Sequence, residues 1–369
     1  MKQPIRVLHV VTYMGRGGLE TMLMNYYRHI DRTKVQFDFL VHRDFEADYD
    51  QEINELGGRI YHVSKLIPWS RKYKLELKCF FQHHPEYKIV HVHQDCLSSV
   101  ALKCAEECGI SVRIAHSHSS SANRNFKYYI KKYYMKFIPK YATDLVACGK
   151  QAGDWMFGGS PYRIVRNAIE IEKYTYDEEK AKTKRKELGF NDEFVVGHVG
   201  QFRQEKNHIF LLKIMNELLK KKSDAKLLLV GDGEGRKEIV EKAKEYGIAE
   251  NVVLLGNRND VNELMQVMDV FALPSLYEGV PLVLIEAQAS GLPCVISDRV
   301  SKESIIVDSL VDVKQLSQSE SEWADLVLTK VNHRRKDYSS EMREAGYDII
   351  TSSQLLQDFY LSKIKELEI

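Results

Sequence analysis

Two acids eight residues apart, Glu278 and Glu286, stand in LPSLYEGVPLVLIEAQASGLPCVISD, Leu273 to Asp298. The stretch follows the strand-like MDVFAL, turns through PSLYEGVP, enters a helix near Pro281 and leaves it at Ser290-Gly291. Proline in the first helical turn and glycine just past the last obey the capping asymmetry of helices. Such a turn presents backbone N–H groups and a positive helix end, a setting suited to a diphosphate. An acid in the turn can accept hydrogen bonds from hydroxyls beside that phosphate. An acid two turns into the helix can hold a vicinal diol such as that of ribose. The competing reading makes Glu278 a turn residue and Glu286 a solvated helix acid. It is weakened by Leu284, Ile285 and Ala287, which flank Glu286 in a largely apolar helix.

A second stretch, YMGRGGLETMLMNYY from Tyr13 to Tyr27, follows the apolar IRVLHVV and also offers close backbone approach to a phosphate. A dinucleotide fingerprint needs Gly-x-Gly-x-x-Gly and an acid at the end of the second strand. Gly15, Gly17 and Gly18 give Gly-x-Gly-Gly, and the second strand, VQFDFLVHR, ends in His42 and Arg43. Asp38 lies mid-strand, away from a ribose. A nicotinamide enzyme is therefore disfavoured. Glu20 suits the dipole of the helix it opens, whether or not a ligand binds there. His91 and His93 alternate in VHVHQD and share one strand face. That spacing is conceivable for a metal, but histidines lining a cleft or a core are the expectation.

The elements that must carry these groups alternate strand and helix. IRVLHVV, VQFDFLV, GRIYHV, YKIVHVH, VRIAHSH and DLVACG read as strands in the first half; FVVGHVG, AKLLLVGDG, NVVLLGN, MDVFALPS and LPCVISD do so in the second. Short, continuously apolar runs separated by helix-length segments indicate parallel sheets covered on both faces, an α/β doubly wound architecture. At 369 residues two domains are expected. The charged stretch NAIEIEKYTYDEEKAKTKRKELGF lacks apolar periodicity and reads as the connection, which sets the lobes at 1–170 and 171–351. A C-terminal amphipathic helix, 352–369, finishes the second lobe or crosses back to the first. Two such lobes usually bind a ligand between them, at the carboxyl ends of their strands.

Taken in order, these motifs resemble the retaining nucleotide-sugar glycosyltransferases of family 4, which have the GT-B fold of two Rossmann-like lobes facing a central cleft. The likeness covers nearly the whole chain. It includes the Gly-Gly loop, VRIAHSHS, the NAI stretch at Asn167, GQFRQEKNH, LLLVGDGEG, LLGNRNDV and the Glu278/Glu286 block. The tail GLPCVISDRVSKE looks like the capsular and exopolysaccharide branch. What the resemblance implies is a hexosyltransferase that uses a donor of the UDP-sugar type bound mainly by the second lobe. Glu286 would bind the ribose hydroxyls and Glu278 the transferred sugar, with the amides of Gly279, Val280 and Leu282 at the diphosphate. Lys206 matches the family lysine that neutralises the diphosphate. The usual arginine is replaced by Gln201, and Arg203 stands two residues on, on the same face of an extended strand. Gly17 and Gly18 would lie beneath the donor phosphates or the acceptor. His116 would lie near the transferred sugar, with His118 as the alternative, and Arg258 beside the base. The resemblance implies no cofactor and no metal, and an acceptor hydroxyl on a saccharide or a lipid-linked sugar. The alternatives from other classes are a non-catalytic sugar-nucleotide sensor, kept alive by Gln201, and an epimerase of the same fold. A phosphorylase would need a lysine carrying pyridoxal phosphate, for which no motif stands out.

Composition narrows the partners. Hydrophobic and charged residues make up 44% and 28%, as in a folded protein, and no apolar run reaches the length of a membrane helix. The N-terminus enters a strand directly without a cleavage-site pattern, and the six cysteines form no Cys-x-x-Cys pair. A cytoplasmic protein with reduced thiols is the expectation. The net charge of +1 divides unevenly: residues 1–170 hold 25 Lys/Arg against 17 Asp/Glu, and the rest 28 against 35. NRNFKYYIKKYYMKFIPKY, 123–141, holds six Lys/Arg and no acid. Phe126, Tyr129, Ile130, Tyr133 and Phe137 share one helical face, opposite Arg124, Lys127 and Lys131. The aromatic face is expected to pack on the first lobe's sheet, with the basic face weakly drawn to an anionic membrane, which would place the protein peripherally on its cytoplasmic side. Nothing else in the chain resembles a nucleic-acid motif.

Overall fold

The computed structural model describes residues 3–119 and 126–368. Its chain divides into two compact units, Met1–Ala168 with Ile349–Ile369, and Ile169–Asp348. Each is built on one parallel sheet. In the first the strands are β1 (Ile5–Val10), β2 (Val35–Val41), β3 (Ile60–His62), β4 (Ile89–Val92), β5 (Val112–Ser117), β6 (Asp144–Ala147) and β7 (Arg163–Ile164), in the order β3-β2-β1-β4-β5-β6-β7. The second sheet has β8 (Val195–Val199), β9 (Lys226–Val230), β10 (Val252–Gly256), β11 (Val270–Leu273), β12 (Cys294–Ser297) and β13 (Val311–Lys314), ordered β10-β9-β8-β11-β12-β13. Both orders reverse direction once, between β1 and β4 and between β8 and β11. At such a switch point the connections leave to opposite sides and open a crevice at the carboxyl ends of the strands. Helices cover both faces, so β2 is buried along its whole length and Leu227, Leu228 and Leu229 of β9 are fully enclosed.

Several local expectations change. Residues 171–190 are not a plain connector: they form helices Ile171–Tyr174 and Glu178–Glu187 of the second unit. The longer one buries only Ala181, which is why no apolar period shows. It is held instead by its N-cap, where the Asp177 carboxylate accepts from the N–H groups of Glu179 and Lys180 at 3.0 and 3.1 Å, and by Lys184 ion-paired to Asp260 and Glu263 at 2.8 and 2.7 Å. Strands β7 and β13 are edge strands too short and too exposed to carry a signal. The C-terminal helix Ile349–Leu367 belongs to the first unit, where Leu356, Phe359 and Tyr360 join its core.

The basic, aromatic helix spans Phe126–Met135, so residues 123–125, Arg124 among them, lie outside the described residues. Its basic side is exposed as expected, at Lys131 and Lys132, but much of its aromatic face is exposed too. Tyr129 and Tyr133 are 72% and 58% exposed, whereas Tyr134 and Met135 pack against the core of the first unit. A helical wheel identifies an aromatic face but not which side of it meets the sheet; here Tyr134, Met135 and the following Ile138 are the anchors.

Candidate active site

In the second unit the switch point is closed by two loops tied to each other. The chain leaves β8 at Val199 and is held by the glycine loop after β9: the N–H of Gly200 donates to Val230 O, that of Phe202 to Asp232 O, and that of Gly235 to Phe202 O, each at 2.9 Å. Gly231, at φ +129°, leaves no room for a side chain, because a Cβ there would stand 2.1 Å from the carbonyl oxygen of Gly200. The GDGEG motif therefore fixes the loop that carries Gln201, Arg203 and Lys206. Asn207, in the left-handed conformation at φ 58°, caps helix His208–Leu219 and sends its side-chain amide to Pro274 O at 3.0 Å. The N–H of Leu276 returns to Glu205 O at 2.8 Å. These ties set Lys206 against the turn after β11.

There the Glu278 Oε1 accepts from Lys206 Nζ at 2.6 Å and from the Ser275 hydroxyl at 2.9 Å. The Lys206 and Glu278 side chains remain 20% and 15% exposed, enough to meet a ligand. Gly279 and Val280 complete the turn, both half-buried, and Pro281 is the N-cap of helix Leu282–Ala289. No side chain caps that helix, whose first residues Pro281 and Leu282 are buried, so its dipole is uncompensated by a cap. Gln201 and Arg203 lie beyond the end of β8, in the loop, where the Arg203 N–H donates to Gln201 O at 2.8 Å. The same-face argument for an extended strand thus does not hold; Arg203 is exposed.

Glu286 is the fifth residue of the helix, just over one turn in, and is only 7% exposed. The Tyr174 hydroxyl donates to its Oε1 at 2.7 Å. Burial pushes the carboxyl up to about 7, partly offset by that hydrogen bond. Arg258, after β10, is taken up by Asp260 through two bonds of 2.8 and 2.6 Å. The structure thus joins Lys206 to Glu278 and places Gly279, Val280, Leu282 and Glu286 on the same turn and helix, while Arg258 has its own partner. Sequence reasoning missed Tyr174, Ser275 and Asn207; Tyr174 was hidden in the supposed connector, 112 residues from Glu286.

In the first unit Gly17 is the N-cap of helix Gly18–His29. A Cβ on Gly17 would stand 2.2 Å from Glu20 Oε2, so the carboxylate of the helix's own first turn occupies the space beside Gly17. Gly18 faces open space. His116 is a residue of β5, 2% exposed, with neither ring nitrogen hydrogen-bonded. It is enclosed by the rings of His91, His93 and His118, at centroid distances of 5.1, 5.1 and 4.0 Å. His118, one residue past β5, is half-buried, with its Nε2 2.9 Å from His93 Nδ1. Burial holds these imidazoles neutral, with His9 and His118 both pushed down to about 3.

Residues 179–336 match the family described as "Glycosyl transferases group 1". Over 360 residues, 93% of each chain, the sequence is 36% identical to the "Putative glycosyltransferase EpsF" of Bacillus subtilis. It is 23% identical over 295 residues, 76% of each chain, to the Escherichia coli "UDP-Gal:alpha-D-GlcNAc-diphosphoundecaprenol alpha-1,3-galactosyltransferase". Among solved structures, HepE of Anabaena in complex with UDP superposes with a TM-score of 0.79 at 17% identity, covering 97% of this chain and 100% of that one. HepE is also known in complex with UDP-glucose, with a TM-score of 0.78 at 16% identity, covering 97% and 99% of the two chains. The chain belongs to the group 1 glycosyltransferases and has the GT-B fold.

Proposed function

We propose that this glycosyltransferase moves a hexose from a UDP-sugar to a hydroxyl of a saccharide or lipid-linked acceptor in cell-surface polysaccharide synthesis, with retained anomeric configuration. The observation that carries the reading is the Lys206–Glu278 pair beside the uncapped N-terminus of helix Leu282–Ala289, with Glu286 just over one turn further on the same helix. The helix end and Lys206 would take the diphosphate, Glu286 the ribose diol in place of the Tyr174 hydroxyl, and Glu278 the sugar. UDP is the nucleotide in the names of the Anabaena and E. coli proteins, which supports the donor class.

The Glu278 carboxylate is engaged by Lys206 and Ser275, and we assign it to binding the sugar rather than to nucleophilic attack. The reaction is then one displacement on the leaving-group face. The anomeric C–O bond breaks with its electron pair going to the diphosphate, the acceptor oxygen bonds to the anomeric carbon, and the acceptor's proton passes to a phosphate oxygen. Lys206 and the helix dipole stabilise the charge that develops on the diphosphate, which makes the step independent of a metal ion. Turnover of α-linked UDP-sugars with lipid-diphosphate-linked saccharides tests this, with the product's anomeric configuration read by NMR. An α-linked product is expected, and a β-linked one contradicts the proposal. Nucleotide binding without turnover would mark a sensor, and interconversion of UDP-sugars without acceptor an epimerase.

The acceptor's chemistry also gives the exposed Tyr129 and Tyr133 a use. With the exposed Lys131, Lys132 and Lys136 on the same or the following turn, they form a surface suited to anionic lipid. Changing the three lysines to glutamate removes about 1 kcal/mol each, so sedimentation with anionic vesicles should weaken by about a hundredfold. Unaltered sedimentation would rule this surface out.

A further inference from the structure

Five histidines crowd the carboxyl ends of β1, β4 and β5, and the reaction proposed above uses none of them. His93 joins two of them: its Nε2 lies 3.0 Å from His9 Nδ1 and its Nδ1 lies 2.9 Å from His118 Nε2. His116 fits no hydrogen-bond network, although a neutral imidazole must carry one N–H and one lone pair. A fully enclosed polar ring left without any partner is costly and uncommon in a folded protein. One ligand nitrogen from each of His93, His116 and His118 lies within 4.8 Å of the others. Nitrogens tetrahedrally arranged around an ion at ~2.0 Å stand ~3.3 Å apart, so small ring movements complete the set.

The surroundings are those of a ligated ion. The second nitrogen of His93 has His9 as a hydrogen-bond partner, the arrangement that orients metal-bound imidazoles. Asp95, directly after β4, holds a left-handed backbone at φ 45°, unusual for a residue other than glycine. Its carboxylate accepts from the backbone of His118 and from the Ser119 hydroxyl at 3.2 Å, while its enclosed Oδ1 has no partner. An acceptor oxygen without a partner therefore lies next to His118. His118 is half-buried, so the cluster is not wholly closed to solvent. The alternative trio of His9, His91 and His93 is fully buried.

We propose that His93, His116 and His118 bind one late first-row transition-metal ion, zinc in the first instance, at the carboxyl ends of β4 and β5, with His9 orienting His93 and Asp95 balancing the charge. Three imidazoles favour zinc, cobalt, nickel or copper over magnesium or calcium. The ion ties the two strand ends together and leaves its fourth position to water. All these residues belong to the first unit, so the proposal stands or falls apart from the donor site.

The test uses the full chain without a histidine tag, stripped by chelator and titrated with Zn2+ and Co2+. One ion per chain is expected, with a rise in Tm on zinc binding and the intense absorption of tetrahedral Co2+ without thiolate bands. His118→Gln, its fold checked by circular dichroism, should lose the cobalt spectrum, and His9→Gln should weaken binding about 10- to 100-fold. A wild-type chain that takes up no ion, or one that shows thiolate ligation, overturns the proposal whatever the variants do. So does an ion lost in His91→Gln but kept in His118→Gln, which would assign it to the other trio.

Discussion

Two helices start directly after loops at the switch points of their sheets, and their N-termini differ in what the chain places there. Helix Gly18–His29 begins at Gly17, and its own Glu20 lies against that glycine, Oε2 2.2 Å from the position of a Cβ. Helix Leu282–Ala289 begins at Pro281, likewise without a side-chain cap, but its acid, Glu286, sits just over one turn away. The backbone dipole is the same in both. The first is already met by a carboxylate, which repels a phosphate; the second is left open beside Lys206. A glycine loop before a helix is therefore not enough to identify an anion site, and what matters is whether the chain fills the helix end itself.

This contrast can be broken by substitution. The largest effect is expected at Lys206→Ala, which removes the cation at the open end and should lower kcat/KM about a hundred- to a thousandfold. Should Lys206→Ala leave kcat/KM unchanged while Glu20→Gln raises UDP affinity, the first helix would be the phosphate site. Gly231→Ala comes next. It forces a Cβ onto the Gly200 carbonyl in a backbone conformation at φ +129°, so about 2–3 kcal/mol of stability should go, read by urea unfolding, and UDP affinity with it as the loop 200–206 shifts. Gly17→Ala should do least. The obstructing atom is the end of the Glu20 side chain, which can swing aside, so a small change in Tm and unaltered UDP affinity are expected. Loss of UDP binding in that variant would restore the opening glycine loop to the donor site.

The doubly wound sheets were legible because buried parallel strands are continuous apolar runs with helix-length spacers. Two of the four edge strands were not, since β7 is two residues long and exposed and β13 only four long and partly exposed. In the site, the turn and helix around Glu278 and Glu286 could be read because proline, glycine and the acids lie within one local segment. Lys206 and Glu278 are 72 residues apart, and their bond depends on Asn207 and Leu276 tying two strand ends together, which no local pattern encodes. The histidines illustrate the same limit. Alternation placed His91 and His93 on one face, but that β1, β4 and β5 are adjacent, so that five rings meet, follows only from the strand order.

The central claim is that the open helix holds a nucleotide through Glu286. Burial raises this carboxyl, so its contribution to folding is fully present below its ordinary value of 4.5 and is lost as pH rises through about 7. A ribose diol donating to the carboxylate favours the ionised form, and UDP binding should release a proton near that pH. The most direct measurement is calorimetry of UDP binding by wild type and Glu286→Gln, in buffers of different ionisation enthalpy across neutral pH. The comparison of the two proteins removes the titration of UDP itself. The account predicts that wild type binds more tightly as pH rises through about 7, with extra proton release, and that Glu286→Gln binds at least tenfold more weakly and loses this pH dependence. Equal affinity and equal proton release in the two proteins would contradict it.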